Sequence, residues 1–219
     1  MLKIVVFDSG YGGEFFADWL EHELPVVEVI RVIDWRHANE LQNNSVAARE
    51  IIKNDLRPYI GRVDLIFFAN YFISATSLKY FKRKFREQNF LGLKLEAPNT
   101  KANQLVLILA TKSVAKTINY YNFLFHLKRK TKTITADSWP LKIDDGELTK
   151  EEIAKTLLPH LEGTESPKEV ILACSQFYDI KKELKQVLGY NISIHDGFSN
   201  ALRGICKTLK IRGSLKKIK

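Results

Sequence analysis

Phe7-Asp8-Ser9-Gly10-Tyr11-Gly12-Gly13 decides how the chain is read. It follows the apolar run Leu2-Lys3-Ile4-Val5-Val6, which is strand-like, and precedes Glu14–Leu24, where Phe15, Phe16, Trp19 and Leu20 recur at helical spacing before Pro25. A strand, a glycine-rich turn and a helix in that order open a βα unit, and the glycines let the backbone turn tightly and approach a ligand. The turn has neither the G-x-G-x-x-G spacing of a dinucleotide fold nor the Gly-Lys-Ser/Thr of a phosphate loop, which argues against a nucleotide cofactor. Asp8 and Ser9 close the strand. They could bind an ammonium group or position an acid/base, or simply cap the helix that follows.

The same alternation continues. Val26–Ile33, Asp64–Ala69, Leu105–Ala110, Lys132–Asp137, Val170–Ala173 and Asn191–Asp196 read as strands. Helices are expected at Ser45–Tyr59 with Ser45 as cap, Ser77–Gln88, Ser113–Leu127, Thr149–Leu161, Asp179–Leu188 and Ser199–Leu209. Thr149 and Glu152 have capping-box spacing. Strands alternating with helices imply right-handed βαβ units and a mostly parallel α/β sheet. Lys94–Gln104, with Pro98 and Asn99, and Leu161–Pro167 read as linkers. Ligands of such sheets lie at the carboxyl ends of the strands. Asp8, Asn70, Thr111, Cys174 and Asp196 all fall at that end, which suggests one shared cleft.

Cys174 follows one strand and precedes a helix. A thiol at a helix N-terminus has its thiolate favoured by the N–H groups and the dipole, and could exchange a proton with a carbon acid. A small buried core residue is the other reading, and position alone does not separate them. Cys206 lies beside Leu202, Ile205 and Leu209 and reads as core. The five histidines lack metal-ligand spacing. His195-Asp196 could reach the cleft, although a lone histidine is more often a hydrogen-bonded structural residue.

With 219 residues and 45% hydrophobic content the chain can bury one large core or two small ones. No run of about 18 apolar residues suggests a membrane helix. Asp8 comes too early for a signal peptide, so the expected location is cytoplasmic with both thiols reduced. The net charge of +9 favours anionic partners, nucleic acid among them. Lys79–Arg86 mixes basic and aromatic residues, as nucleic-acid surfaces do, but Phe81 and Phe85 are also spaced to anchor a surface helix. Lys128–Lys132 and Lys207–Lys219 are the other basic spots.

Taken together, three segments resemble the aspartate/glutamate racemase family, and glutamate racemase most. Phe7–Gly13 is similar to its F-D-S-G-x-G-G signature, Leu109-Ala110-Thr111 to its central L-A-T, and Leu172-Ala173-Cys174-Ser175-Gln176-Phe177 to its second cysteine motif, L-G-C-T-H-Y. The resemblance runs nearly end to end. It implies two pseudo-symmetric α/β lobes, here 1–96 plus 195–219 and 97–194, with the substrate between them. It implies neither metal nor pyridoxal cofactor. It also implies a small amino acid or dicarboxylate as ligand, and a homodimer. Some glutamate racemases bind DNA gyrase, which extends the implied partners to a protein.

In the family two cysteines face each other across the substrate α-carbon. The first lies in A-C-N-T-A-S. An ungapped match of Asp64–Ala75 puts Asn70 at that cysteine, Tyr71 at the asparagine and Phe72 at the threonine. A one-residue shift puts Ala69 at the cysteine, so no thiol appears either way. Gln176 stands where a histidine assists the second cysteine, and the Pro-Tyr-Gly loop is absent around Asn39–Gln42. An amide has no pKa suited to base catalysis. The expected catalytic residues are therefore Cys174 and Asp8, and the expected substrate-binding residues Ser9, Asn70, Tyr71, Thr111, Ser175 and Gln176. Three functions stay open. The first is a racemase-type isomerase with altered two-base chemistry. The second is a one-cysteine decarboxylase or isomerase of the arylmalonate decarboxylase type. The third is an inactive homologue that binds a ligand, protein or nucleic acid.

Overall fold

A computed structural model describes residues 1–97 and 104–211. Most of the linker-like Lys94–Gln104 and the last eight residues of the basic tail lie outside the described residues. The chain forms two compact units. One comprises Met1–Lys94 with Gly197–Lys219, the other Leu95–Asp196. Each is built on a four-stranded, all-parallel sheet covered by helices.

The first unit contains β1 (Leu2–Asp8), α1 (Tyr11–Glu23), β2 (Val27–Ile33), α2 (Ala38–Asn43), α3 (Ser45–Leu56), β3 (Leu65–Phe68), α4 (Tyr71–Lys84), β4 (Phe90–Gly92) and α10 (Phe198–Thr208). Its strand order is β2-β1-β3-β4. The second unit contains β5 (Val106–Ala110), α5 (Lys112–Ala115), α6 (Ile118–Leu127), β6 (Thr131–Thr135), α7 (Trp139–Asp144), α8 (Lys150–Leu161), β7 (Glu169–Ala173), a 3₁₀ turn (Ser175–Tyr178), α9 (Lys181–Leu188) and β8 (Ser193–His195). Its order, β6-β5-β7-β8, repeats the first, with the first strand of the unit central and its second at an edge. That repetition gives the two units the same topology.

Covered faces explain the unbroken apolar strands. Successive side chains of β3 point to opposite faces. Phe67 stacks on Phe16 of α1 at 4.5 Å, and Phe198 of α10 meets Phe16 edge-on at 5.0 Å. Phe68 packs on the other face with Phe7, Phe81 and Phe90. Through Phe198 the last helix completes the core of the first unit.

Several elements depart from the expectations. α1 begins at Tyr11, so Gly12 and Gly13 lie inside its first turn. Its N-cap is Gly10, with no side-chain cap bond. Asp8 and Ser9 therefore do not cap it. α3 is capped by Asn44, not Ser45; the Asn44 side chain accepts from Val46 and Ala47 N–H. α4 starts at Tyr71, six residues before Ser77, because Asn70 caps it. The expected Ser113–Leu127 helix breaks in two where the Thr117 hydroxyl accepts from Tyr120 N–H. The Thr149–Glu152 capping box of α8 is present. Among the described residues no helix is long and apolar enough to cross a membrane.

Gly13 is fixed by packing. A Cβ there would stand 2.4 Å from Asp8 Cβ and 2.7 Å from Ile33 Cδ1, so only glycine lets α1 lie this close to the ends of β1 and β2. Gly13→Ala is expected to destabilise the protein by about 1–3 kcal/mol, the usual cost of overpacking, as read by urea unfolding.

Candidate functional site

The expected site residues fall on the carboxyl ends of two separate sheets, not one. Asp8 ends β1 and Asn70 lies just after β3 in the first unit. Thr111, Cys174 and Asp196 follow β5, β7 and β8 in the second.

In the first unit Asp8 is only 2% exposed. Its Oδ1 accepts from Ser9 N–H at 2.6 Å and from Asn70 Nδ2 at 2.9 Å. Asn70 uses its other side-chain atom as well, since Oδ1 accepts from Ile73 N–H at 3.0 Å and so caps α4. This amide is thus occupied at both ends, holding a carboxylate and starting a helix. Ser9 Oγ accepts from Gln42 Nε2 at 3.2 Å, which brings in a residue that sequence reading passed over. Tyr71 is buried at the first position of α4, and its hydroxyl lies where a Cβ on Gly197 would fall, at 2.5 Å. Gly197 has φ +75°, a left-handed conformation suited to glycine, so the chain turns into α10 directly over Tyr71.

In the second unit Cys174 is half-buried and precedes only the four-residue 3₁₀ turn. The expected α-helix dipole is absent there, because α9 begins seven residues later. What Cys174 has instead is a side-chain line. Its Sγ donates to Gln176 Oε1 at 3.1 Å, and Gln176 Nε2 donates to Asp144 Oδ2 at 3.4 Å. Burial pushes the Asp144 carboxyl up to about 6, against the hydrogen bond from Gln176 that favours its charge; the neighbouring Asp145 charge adds to the rise. Asp144 Oδ1 is buried and has no hydrogen-bond partner among the described residues. α7 carries Asp144 into place because Trp139 packs edge-on against Phe177 of the 3₁₀ turn at 5.6 Å. Ser175 is buried beside the thiol.

The remaining residues divide. Thr111 Oγ1 caps α5, accepting from Val114 N–H at 3.5 Å, and meets Ser113 Oγ at 3.0 Å. Asp196 accepts from Lys181 Nζ at 2.8 Å. His195 bonds buried Glu169 at the start of β7 and is a structural histidine. Cys206 is 1% exposed among the α10 core residues, as expected. Among the described residues no cluster of three or more His, Cys, Asp or Glu side chains is placed to hold a metal ion.

Sequence reading missed Asp144. Its helix is six residues long, too short for a periodic signal, and the burial of its carboxyl depends on packing from elsewhere in the unit.

Asp144 supplies a pH test. Its folded pKa is raised, so the native state binds protons more tightly than the unfolded chain. The stabilising contribution is full below the ordinary carboxylate range and is lost as pH rises through about 6. Asp144→Asn, which keeps an acceptor for Gln176, should melt higher than wild type at pH 7, and this difference should vanish below about pH 4. Asn70 supplies a second test. Asn70→Ala removes the α4 cap and a donor to Asp8, and should cost about 1–2 kcal/mol. Asn70→Asp keeps a cap but faces Asp8 with a like charge, so its stability loss should grow from acid to neutral pH, as thermal melts across pH would record.

No family profile matches the chain, and no curated protein matches it by sequence. Solved structures do match. Escherichia coli glutamate racemase, in complex with L-glutamate and the activator UDP-MurNAc-Ala, is 21% identical with a TM-score of 0.84 over 96% of this chain and 83% of that one. Francisella tularensis glutamate racemase, in complex with D-glutamate, is 18% identical with a TM-score of 0.76 over 100% and 84%. Picrophilus torridus aspartate racemase is 15% identical with a TM-score of 0.62 over 96% and 95%. The fold is the Asp/Glu racemase-like fold.

Proposed function

We propose that the chain is a cofactor-independent enzyme on this scaffold, acting on a small acidic amino acid or dicarboxylate with Cys174 as its single thiol acid/base. The observation that carries the reading is the Asp144–Gln176–Cys174 line at the end of β7. A thiol hydrogen-bonded through an amide to a buried carboxyl is a positioned group, not a core cysteine. Glutamate in the complexes of the E. coli and F. tularensis enzymes supports an acidic amino acid as the ligand class. In this reading Asp8, Ser9, Asn70, Tyr71, Thr111 and Ser175 are binding groups.

The chemistry follows from what each side offers. Racemisation by two bases removes the α-proton on one face and returns a proton to the other. No thiol follows β3, and Asn70 there has no titratable group, with both ends of its amide engaged. Cys174 first loses its thiol proton to solvent; as thiolate it takes a proton from the α-carbon and leaves a carbanion, and the same sulfur returns a proton to the same face. Solvent exchanges with the thiol proton between the two steps. Gln176 orients the thiol and has no titratable proton to transfer, and Asp144 orients Gln176; both are positioning residues.

The product is exchange without inversion, or, where the ligand can lose carbon dioxide, protonation of the resulting carbanion on one face. In deuterium oxide, one enantiomer of glutamate or aspartate should take up label at the α-carbon without net inversion. Cys174→Ala should lower that rate by about a thousandfold or more. Gln176→Glu should move the pH profile, a change that a purely structural residue would not cause. Absence of label from all four amino acids would end the amino-acid version. The second reading, a ligand-binding homologue without catalysis, is favoured by the amides at both Asn70 and Gln176. Full biological function in Cys174→Ala would establish it.

A further inference from the structure

A separate cavity of about 500 Å³ lies in the second unit between α9 and the edge strand β8, lined by Lys181, Lys182, Lys185, Ile192, Ser193 and Ile194. It shares no residue with the Asp144–Gln176–Cys174 line. Lys181 and Lys185 stand at i, i+4, and Lys182 and Lys185 at i, i+3, so the cations are neighbours on one helix face and repel one another. Lys181 is answered by Asp196 at 2.8 Å and lies over the Tyr178 ring at 3.7 Å. Among the described residues Lys182 and Lys185 have no carboxylate within 4.0 Å. Across from them the cavity is lined by buried Ile192, exposed Ser193 and half-buried Ile194.

We propose that this cavity binds a phosphorylated small molecule, its phosphate held by Lys182 and Lys185 and its organic body along the Ile192–Ile194 segment that lines the opposite side. Two uncompensated ammonium groups give the site its anion preference, and lysine meets phosphate as a point charge. The volume falls in the range of small-ligand pockets and exceeds what inorganic phosphate alone fills. A short groove lined by one helix and one strand suits a discrete ligand better than a nucleic-acid backbone, which needs an extended basic track. Lysines beside an open strand edge also deter strand addition, a role that needs no ligand.

Calorimetric titration of the full chain with sodium pyrophosphate and with ADP distinguishes these cases. ADP should bind saturably and more tightly than pyrophosphate. Lys182→Gln with Lys185→Gln should weaken it about tenfold or more, and Lys79→Gln with Lys82→Gln on α4 should leave it unchanged. ADP binding that survives the first pair, or no binding of either probe, overturns the proposal. So does single-stranded DNA binding that exceeds ADP binding and is lost with the same pair. If that pair does not fold, amide shift mapping of the wild-type chain with ADP decides: changes centred on Lys181–Ile194 support the site, and changes elsewhere overturn it.

Discussion

A buried carboxylate at the end of the first strand organises the first unit. Asp8 is almost fully withdrawn from water, and an unpartnered charge there would be costly. The structure answers it with Ser9 N–H and the Asn70 amide. Each answer constrains another element. Asn70 can reach Asp8 only from the end of β3, and its remaining oxygen then starts α4. Gly13 must lack a side chain because α1 crosses against the same Asp8 Cβ. One carboxylate thus joins β1, α1, β3 and α4.

That arrangement has a chemical consequence. A residue that holds a carboxylate with one atom and a helix with the other is fixed in place by the framework. The first unit keeps polar groups at its strand ends and offers no thiol there. Titratable chemistry next to a thiol is found in the second unit, where Asp144 stands behind Gln176 and Cys174. The two units share a strand order but differ in what that order presents.

The architecture was legible because its central strands are buried on both faces. Leu65–Phe68, Val106–Ala110 and Glu169–Ala173 read as short apolar runs, and fully covered parallel strands have to. The capping box of α8 was legible because both partners lie within four residues. The sequence places this helix at Ser77–Gln88 and the structure at Tyr71–Lys84, because Tyr71-Phe72-Ile73 continues the aromatic and β-branched character of β3 and only the Asn70 cap separates the two. β4 and α7 are three and six residues long. Packing of Phe90 on Phe68 and of Trp139 on Phe177 forms them, and sequence periodicity does not register such contacts. For the same reason Cys174 was identified but its surroundings were not. The dipole expected from a following helix gives way to a hydrogen-bonded line whose last member is 30 residues away in sequence.

The account rests on Cys174 being the group an acidic amino acid meets. Alkylation by iodoacetamide, read by mass spectrometry, tests this directly, with buried Cys206 as the internal reference. Cys174 should be modified first, and one enantiomer of glutamate or aspartate should slow that modification in a saturable way. Modification of Cys174 at the same rate with and without every one of these amino acids would contradict it.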